Sequence, residues 1–139
     1  MHKLKKIKGP LQNTIDDFLD MVKEKNCKIV LMLTRPVENG NVKCTNYYDE
    51  SNQWYNTGSK YSLHTSKINS TEIEGLTKRN LTFREKRTGR SYDFMHFLYE
   101  IWPDKKPLDE FKLHDLFSGL RPLFLEAKGK KEKVIVHCR

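Results

Sequence analysis

The sequence predicts an α/β fold, a twisted mixed β-sheet flanked by helices. Three observations predict it. The amphipathic stretch TIDDFLDMVKEK runs almost directly into an apolar one, KIVLMLT. Three segments between Tyr61 and Ile101 alternate in the manner of strands. A second helical pattern is then followed by VIVHC near the C-terminus. The order helix, strand, hairpins, helix, strand is that of a mixed sheet with helices packed on it.

Each element has its own warrant. Ile15, Phe18, Leu19 and Val22 fall at i, i+3, i+4 and i+7, one apolar stripe of a helix over residues 14–25. Thr14 and Asp17 have the spacing of a capping box, with Asp in place of Glu, and Asn26 can close the helix. KIVLMLT reads as a strand buried on both faces. Asn39-Gly40 predicts a tight turn into the short VKC segment, and residues 45–59 read as polar and irregular. Strands are predicted over Tyr61–Lys67, Thr77–Lys86 and Arg90–Ile101; Arg79, Leu81 and Phe83 illustrate the alternation. Thr88-Gly89 joins the last two as a hairpin. From Phe111 to Phe124 the apolar residues keep helical spacing, but Gly119 and Pro122 are expected to kink or break that helix. A basic loop, Lys128–Lys133, then leads into VIVHC as the final strand. With no internal repeat and no domain boundary, one domain over residues 1–139 is expected.

Composition narrows the function classes. With 37% apolar and 32% charged residues, the chain is neither membrane-embedded nor fully disordered in type. Its longest unbroken apolar run, Ile29–Leu33, is far too short to span a bilayer, so no membrane segment is expected. MHKLKKIKGP is basic but lacks the apolar stretch and cleavage site of a secretory signal. Cys27, Cys44 and Cys138 are odd in number and widely spaced, which suggests neither a disulfide framework nor a zinc site. A reducing, cytoplasmic setting is the expectation, that of a host cell were the chain virus-encoded. The net charge of +8 predicts affinity for anions, and the basic residues gather around Lys3–Lys8, Lys78–Arg90 and Lys128–Lys133. No zinc finger, RNA-binding signature or glycine-rich nucleotide loop accompanies them, so no nucleic-acid partner is expected.

Four stretches carry a resemblance. GPLQNTIDDFLDMV, then KIVLMLTRPVENGNVKCTNYY, then HFLYEIWPD, and finally VIVHC resemble, in order, segments of the protein tyrosine phosphatases, tyrosine-specific branch. The match runs from Gly9 to Cys138. It implies a phosphatase-like α/β domain that hydrolyses phosphotyrosine on proteins, with no metal or organic cofactor. In that family the His-Cys strand opens a phosphate-binding loop, Cys-x5-Arg, whereas here Arg139 is the last residue. The family's upstream phosphotyrosine loop has no counterpart before Lys8-Gly9-Pro10. The resemblance therefore implies a partial domain, incomplete at both ends and inactive by itself.

The roles it implies have a physical basis. Phosphate monoesters hydrolyse very slowly unaided, so a covalent intermediate and protonation of the leaving group are both valuable. Cys138 would attack phosphorus as a thiolate, which requires lowering a thiol pKa that is ordinarily ~8.5. Asp104 would be the general acid and then the base, approached through the stiff, apolar Trp102 and Pro103. His137 would tune the thiol, Glu38 would brace the phosphate-loop arginine, and Lys43 would contact Asp104. His96 reads instead as a packed strand histidine.

This chain also departs from the family pattern. DKKPL lacks the glycine that commonly follows the acid-loop aspartate and brings Pro107 in early; Tyr48 stands where Trp is preferred, Lys8 where Gln is usual, and Arg139 where Ser is commonest. The altered acid loop raises an alternative, a pseudophosphatase that binds phosphoproteins without turnover. A third reading, of a different class, is a basic domain that binds nucleic acid non-specifically.

Overall fold

The computed structural model describes residues 4–33, 37–38, 41–42, 47–48, 52–103 and 106–138, with the backbone alone at 4–8, 12, 37–38, 41–42, 67 and 138. Its centre is a seven-stranded mixed sheet, with strands in the order β1-β9-β2-β8-β7-β6-β5. These are β1 (Leu4–Lys8), β2 (Cys27–Met32), β5 (Tyr55–Asn56), β6 (Tyr61–Ser70), β7 (Leu76–Glu85), β8 (Ser91–Tyr99) and β9 (Lys133–Cys138). A separate two-stranded ladder pairs β3 (Val37–Glu38) with β4 (Asn41–Val42). Strands β1, β9, β2 and β8 run parallel, whereas β8, β7, β6 and β5 are antiparallel. Helix α1 (Ile15–Glu24) and helix α2 (Glu110–Gly129) pack on the sheet, and the core divides between them. Phe18, Leu19 and Val22 of α1 meet Val30, Met32 and Ile135 on one side; Leu116, Leu120 and Ala127 of α2 meet Ile29, Leu31 and Val134 on the other. That division is the period-two alternation of strands buried on both faces.

The predicted apolar stripe of α1 is fully inside, but its start differs from expectation. Thr14 does not cap the helix: its hydroxyl accepts from Leu11 N at 2.9 Å and donates to Leu11 O at 3.2 Å, closing a 3₁₀ turn at Gln12–Thr14. Asn26 does close the helix, in a left-handed conformation (φ 51°), with its N–H on Lys23 O at 3.1 Å. The Asn39-Gly40 turn lies outside the described residues, although β3 and β4 pair on either side of it. The hairpin at Thr88-Gly89 is present, with Gly89 at φ 74° donating to Glu85 O at 2.8 Å.

Two expectations are corrected. Helix α2 is not broken: it runs through Gly119 and Pro122, capped by Asp109, whose carboxylate accepts from Phe111 N and Lys112 N. A proline removes one backbone donor, and burial of Leu116 and Leu120 before it and Ala127 after it holds the helix together. Nor is the 45–59 stretch merely polar and irregular, since Tyr47 and Tyr48 are fully buried and Tyr55–Asn56 forms β5. The strand β1, read from sequence only as a basic cluster, pairs in parallel with β9 from Leu4↔Val134 to Lys8↔Cys138.

The turn between β6 and β7 bears on two neighbours. Gly75, at φ 81°, accepts from Glu100 N at 2.9 Å through its carbonyl, and a Cβ there would lie 2.6 Å from Ile101 Cγ1. Ile73 packs directly on Gly119 of α2. Gly75→Ala combines an unfavourable backbone conformation with that overlap and should cost about 1–3 kcal/mol, read as a lower urea midpoint at unchanged m.

Cys27 is buried at the start of β2; burial pushes its thiol from 9.0 up to about 11, and its Sγ donates to Ile29 O at 3.0 Å. Burial also raises the phenols of Tyr61, which donates to Asp20, and Tyr92, which donates to Cys27 O at 2.6 Å. Between pH 9 and 11 the unfolded chain has lost a proton from Cys27 that the folded chain keeps, so stability falls as pH rises. For Cys27 alone the loss should reach about 2 kcal/mol at pH 11, and Cys27→Ser should flatten the profile in chemical denaturation across that range.

Candidate active site

Four of the predicted site residues, Trp102, Pro103, His137 and Cys138, lie at or just beyond the carboxyl ends of β8 and β9. Parallel pairing sets Met32 of β2 opposite both His137 of β9 and Leu98 of β8, so these strands end together. Leu33 N donates to His137 O at 3.0 Å, which carries the pairing to the end of β2. The backbone of Cys138 closes β9 at this edge, opposite Lys8. Trp102 lies three residues beyond the end of β8 at the same edge. Carboxyl ends of parallel strands are where α/β sheets commonly hold ligands.

Trp102 is half-buried against the α2-side core, and its indole N–H donates to Lys106 O at 3.2 Å, tying this tryptophan to the start of the segment that leads into α2. Pro103 is exposed. Asp104 and Lys43 lie outside the described residues, and for Glu38 and Cys138 the backbone alone is described, Glu38 pairing with Asn41. Among the described residues, no cluster of His, Cys, Asp or Glu has the make-up of a metal site.

Beside Cys138 the structure brings together four buried polar side chains. Tyr47 Oη lies 2.7 Å from His137 Nε2 and 2.9 Å from His96 Nε2. Arg79 Nη1 lies 3.4 Å from His96 Nδ1. Arg79, His96, Tyr47 and His137 are each at most 2% exposed. A guanidinium can only donate, which fixes the direction of the chain when both imidazoles are neutral. Arg79 donates to His96 Nδ1, His96 Nε2–H donates to Tyr47, and the Tyr47 hydroxyl donates to His137 Nε2. The proton of His137 then sits on Nδ1. Burial first, then the neighbouring His137 and Arg79, holds His96 well below the ordinary histidine pKa, in keeping with its neutral form here. Aromatic contacts wall the chain: the Tyr48 ring stacks on His96 at 4.6 Å, the Arg79 guanidinium lies 4.5 Å from the Tyr48 ring centre, and Phe18 meets His137 edge-on at 5.8 Å.

His96 is thus a packed strand histidine, as expected, and also a link in this chain. Sequence reasoning assigned no role to Tyr47 or Arg79. A signal existed for Arg79, which alternates with Leu81 and Phe83 and so points to the core with them. What the arrangement can do is fix the tautomer of an imidazole, that of His137 immediately before Cys138.

The family model described as protein-tyrosine phosphatase matches residues 6–139. A human receptor-type tyrosine-protein phosphatase eta is 34% identical over 130 residues, covering 94% of this chain and 9% of the relative. A protein-tyrosine phosphatase of Arabidopsis thaliana is 33% identical, covering 94% of this chain and 37% of its own length. Tyrosine-protein phosphatase 1 of Dictyostelium discoideum is 32% identical, with 94% and 27% covered. The chain thus spans well under half the length of these relatives. On a family match that takes in nearly every residue, this chain belongs to the protein-tyrosine phosphatases.

Proposed function

We propose that this chain carries part of the catalytic machinery of a phosphatase that hydrolyses phosphotyrosine on proteins. Cys138 is the nucleophile, forming a bond to phosphorus as the phenolate leaves. Asp104 protonates that phenolate and then accepts a proton from the water that releases phosphate. The observation that supports this reading best is the buried Arg79–His96–Tyr47–His137 chain, which ends on the residue before Cys138. Such a chain is costly to bury and is satisfied here at every link described, directed toward the strand end that carries the thiol.

In this reading Tyr47, His96 and Arg79 are positioning residues. Donation from Tyr47 to Nε2 makes the remaining N–H of His137 a better donor, which favours a thiolate beside it. Trp102 anchors the segment that delivers Asp104, while Glu38 and Lys43 keep the bracing roles that the family resemblance implies.

The decisive assay is hydrolysis of a phosphotyrosine peptide. Arg139 alone follows Cys138 in these residues, so turnover is expected when Cys138 is followed by a complete Cys-x5-Arg loop and not from the 139 residues by themselves. In the extended chain, Cys138→Ser should abolish turnover and Asp104→Asn should lower kcat by about 10²–10⁴-fold. Full activity of either variant would overturn the assignment. Retained phosphopeptide binding without turnover in the unsubstituted extended chain would favour the pseudophosphatase reading that DKKPL raises. Tyr47→Phe should raise the pH midpoint of Cys138 alkylation by iodoacetamide by about half to one unit, the worth of one hydrogen bond. An unmoved midpoint would reduce Tyr47 to a packing role.

A further inference from the structure

The basic residues are scattered along the sequence, and the topology gathers many of them at the sheet edge opposite Cys138. Strands β2, β8 and β9 are parallel and begin together. Around the start of β2 lie Lys23 in the last turn of α1, Lys25 just after it and Lys28 in the strand; the turn entering β8 carries Lys86, Arg87 and Arg90. Around the start of β9 lie Lys128 in the last turn of α2, Lys130 and Lys131 in the turn and Lys133 in the strand. These turns are joined to one another: Lys133 N donates to Asn26 O at 3.1 Å, and Lys23 pairs with Glu85 at 3.7 Å. Carboxylates neutralise part of the cluster. Glu85 also lies 3.8 Å from Arg87, and Glu126 holds Lys130 at 2.9 Å. Lys25, Arg90, Lys128, Lys131 and Lys133 are exposed, and among the described residues none has a carboxylate within ion-pair distance.

The shape of this face decides among anionic partners. From β9 to β7 it spans three strand spacings, roughly 15 Å, and the C-terminal ends of α1 and α2 widen it on opposite sides of the sheet. It is therefore a two-dimensional array rather than a track for a single strand. Its three turns contain no aromatic side chain, and the half-buried Tyr92 ring at the start of β8 is already covered by the Lys28 ammonium at 3.9 Å, which leaves no bare ring for a base to stack on there. The adjoining groove, of about 480 Å³, is lined by Asp93 and Glu132 as well as Lys28 and Lys130, so it offers no discrete phosphate pocket. We propose that this edge docks electrostatically on an anionic lipid bilayer, leaving the Cys138 edge facing away from the membrane. Binding of this kind is diffuse and salt-sensitive, and it does not depend on the phosphatase reading.

The test is co-sedimentation of the 139-residue chain with phosphatidylcholine vesicles, with and without phosphatidylserine, across a salt series. Binding should require phosphatidylserine and weaken as salt rises. Neutralising Arg90→Gln, Lys128→Gln and Lys131→Gln together should lower the partition coefficient on the order of a hundred-fold, about five-fold per charge. Lys106→Gln, Lys112→Gln and Arg121→Gln together remove the same net charge away from this edge and should change it less than ten-fold, with circular dichroism confirming that both triples fold. Absence of phosphatidylserine-dependent binding overturns the proposal, and so does equal loss in the two triples. Tighter binding to single-stranded RNA or duplex DNA than to vesicles at the same salt, lost in the first triple, would also overturn it, in favour of a nucleic-acid face.

Discussion

A strand buried on both faces can carry a polar side chain only if another part of the chain reaches in to meet it. His137 and His96, on β9 and β8, are both at zero exposure, and the rest of the edge follows from satisfying them. One hydroxyl, that of Tyr47, bridges the two rings, and Arg79 ends the chain from β7. Residues 47–48 are thereby drawn into the core, with the Tyr48 ring packed over both the His96 ring and the guanidinium. A network like this is worth having only when complete, because each partner lost leaves a buried group unpaired at about 1–3 kcal/mol. Strands that are not neighbours in sequence are bound to one another here by polar chemistry as well as by apolar packing.

Much of the fold was legible because its signals are local. The stripe Ile15, Phe18, Leu19, Val22, the doubly buried Ile29–Met32 run and the Thr88-Gly89 hairpin are each settled within about ten residues of chain. What escaped is set at a distance. Leu4–Lys8 reads as a basic tail until β9 offers it a ladder, and Pro122 reads as a breaker until tertiary burial on both sides overrides it. Thr14 has the sequence of a cap, but its hydroxyl is already engaged with Leu11.

The candidate site divides in the same way. The order of the motifs along the chain pointed to Cys138 and Asp104, since that order is a property of the sequence. The convergence of His137, Tyr47, His96 and Arg79 depends on parallel register between strands that lie far apart in the chain, and no local pattern encodes that register. The same parallel arrangement sorts the connections into two groups. The carboxyl ends of β2, β8 and β9 lie side by side where β9 closes at Cys138, and the segments entering these strands carry the lysines.

The turn between β6 and β7 has a consequence for how this chain can change over time. Gly75 lies against Ile101 and Ile73 lies against Gly119, so one five-residue turn records the size of two distant partners. A side chain gained at position 119 requires volume lost at 73, and one gained at 75 requires volume lost at 101. Homologous chains should therefore show these positions drifting as linked pairs, each constraining the other's history, while solvent-facing neighbours such as Glu72 and Glu74 vary independently.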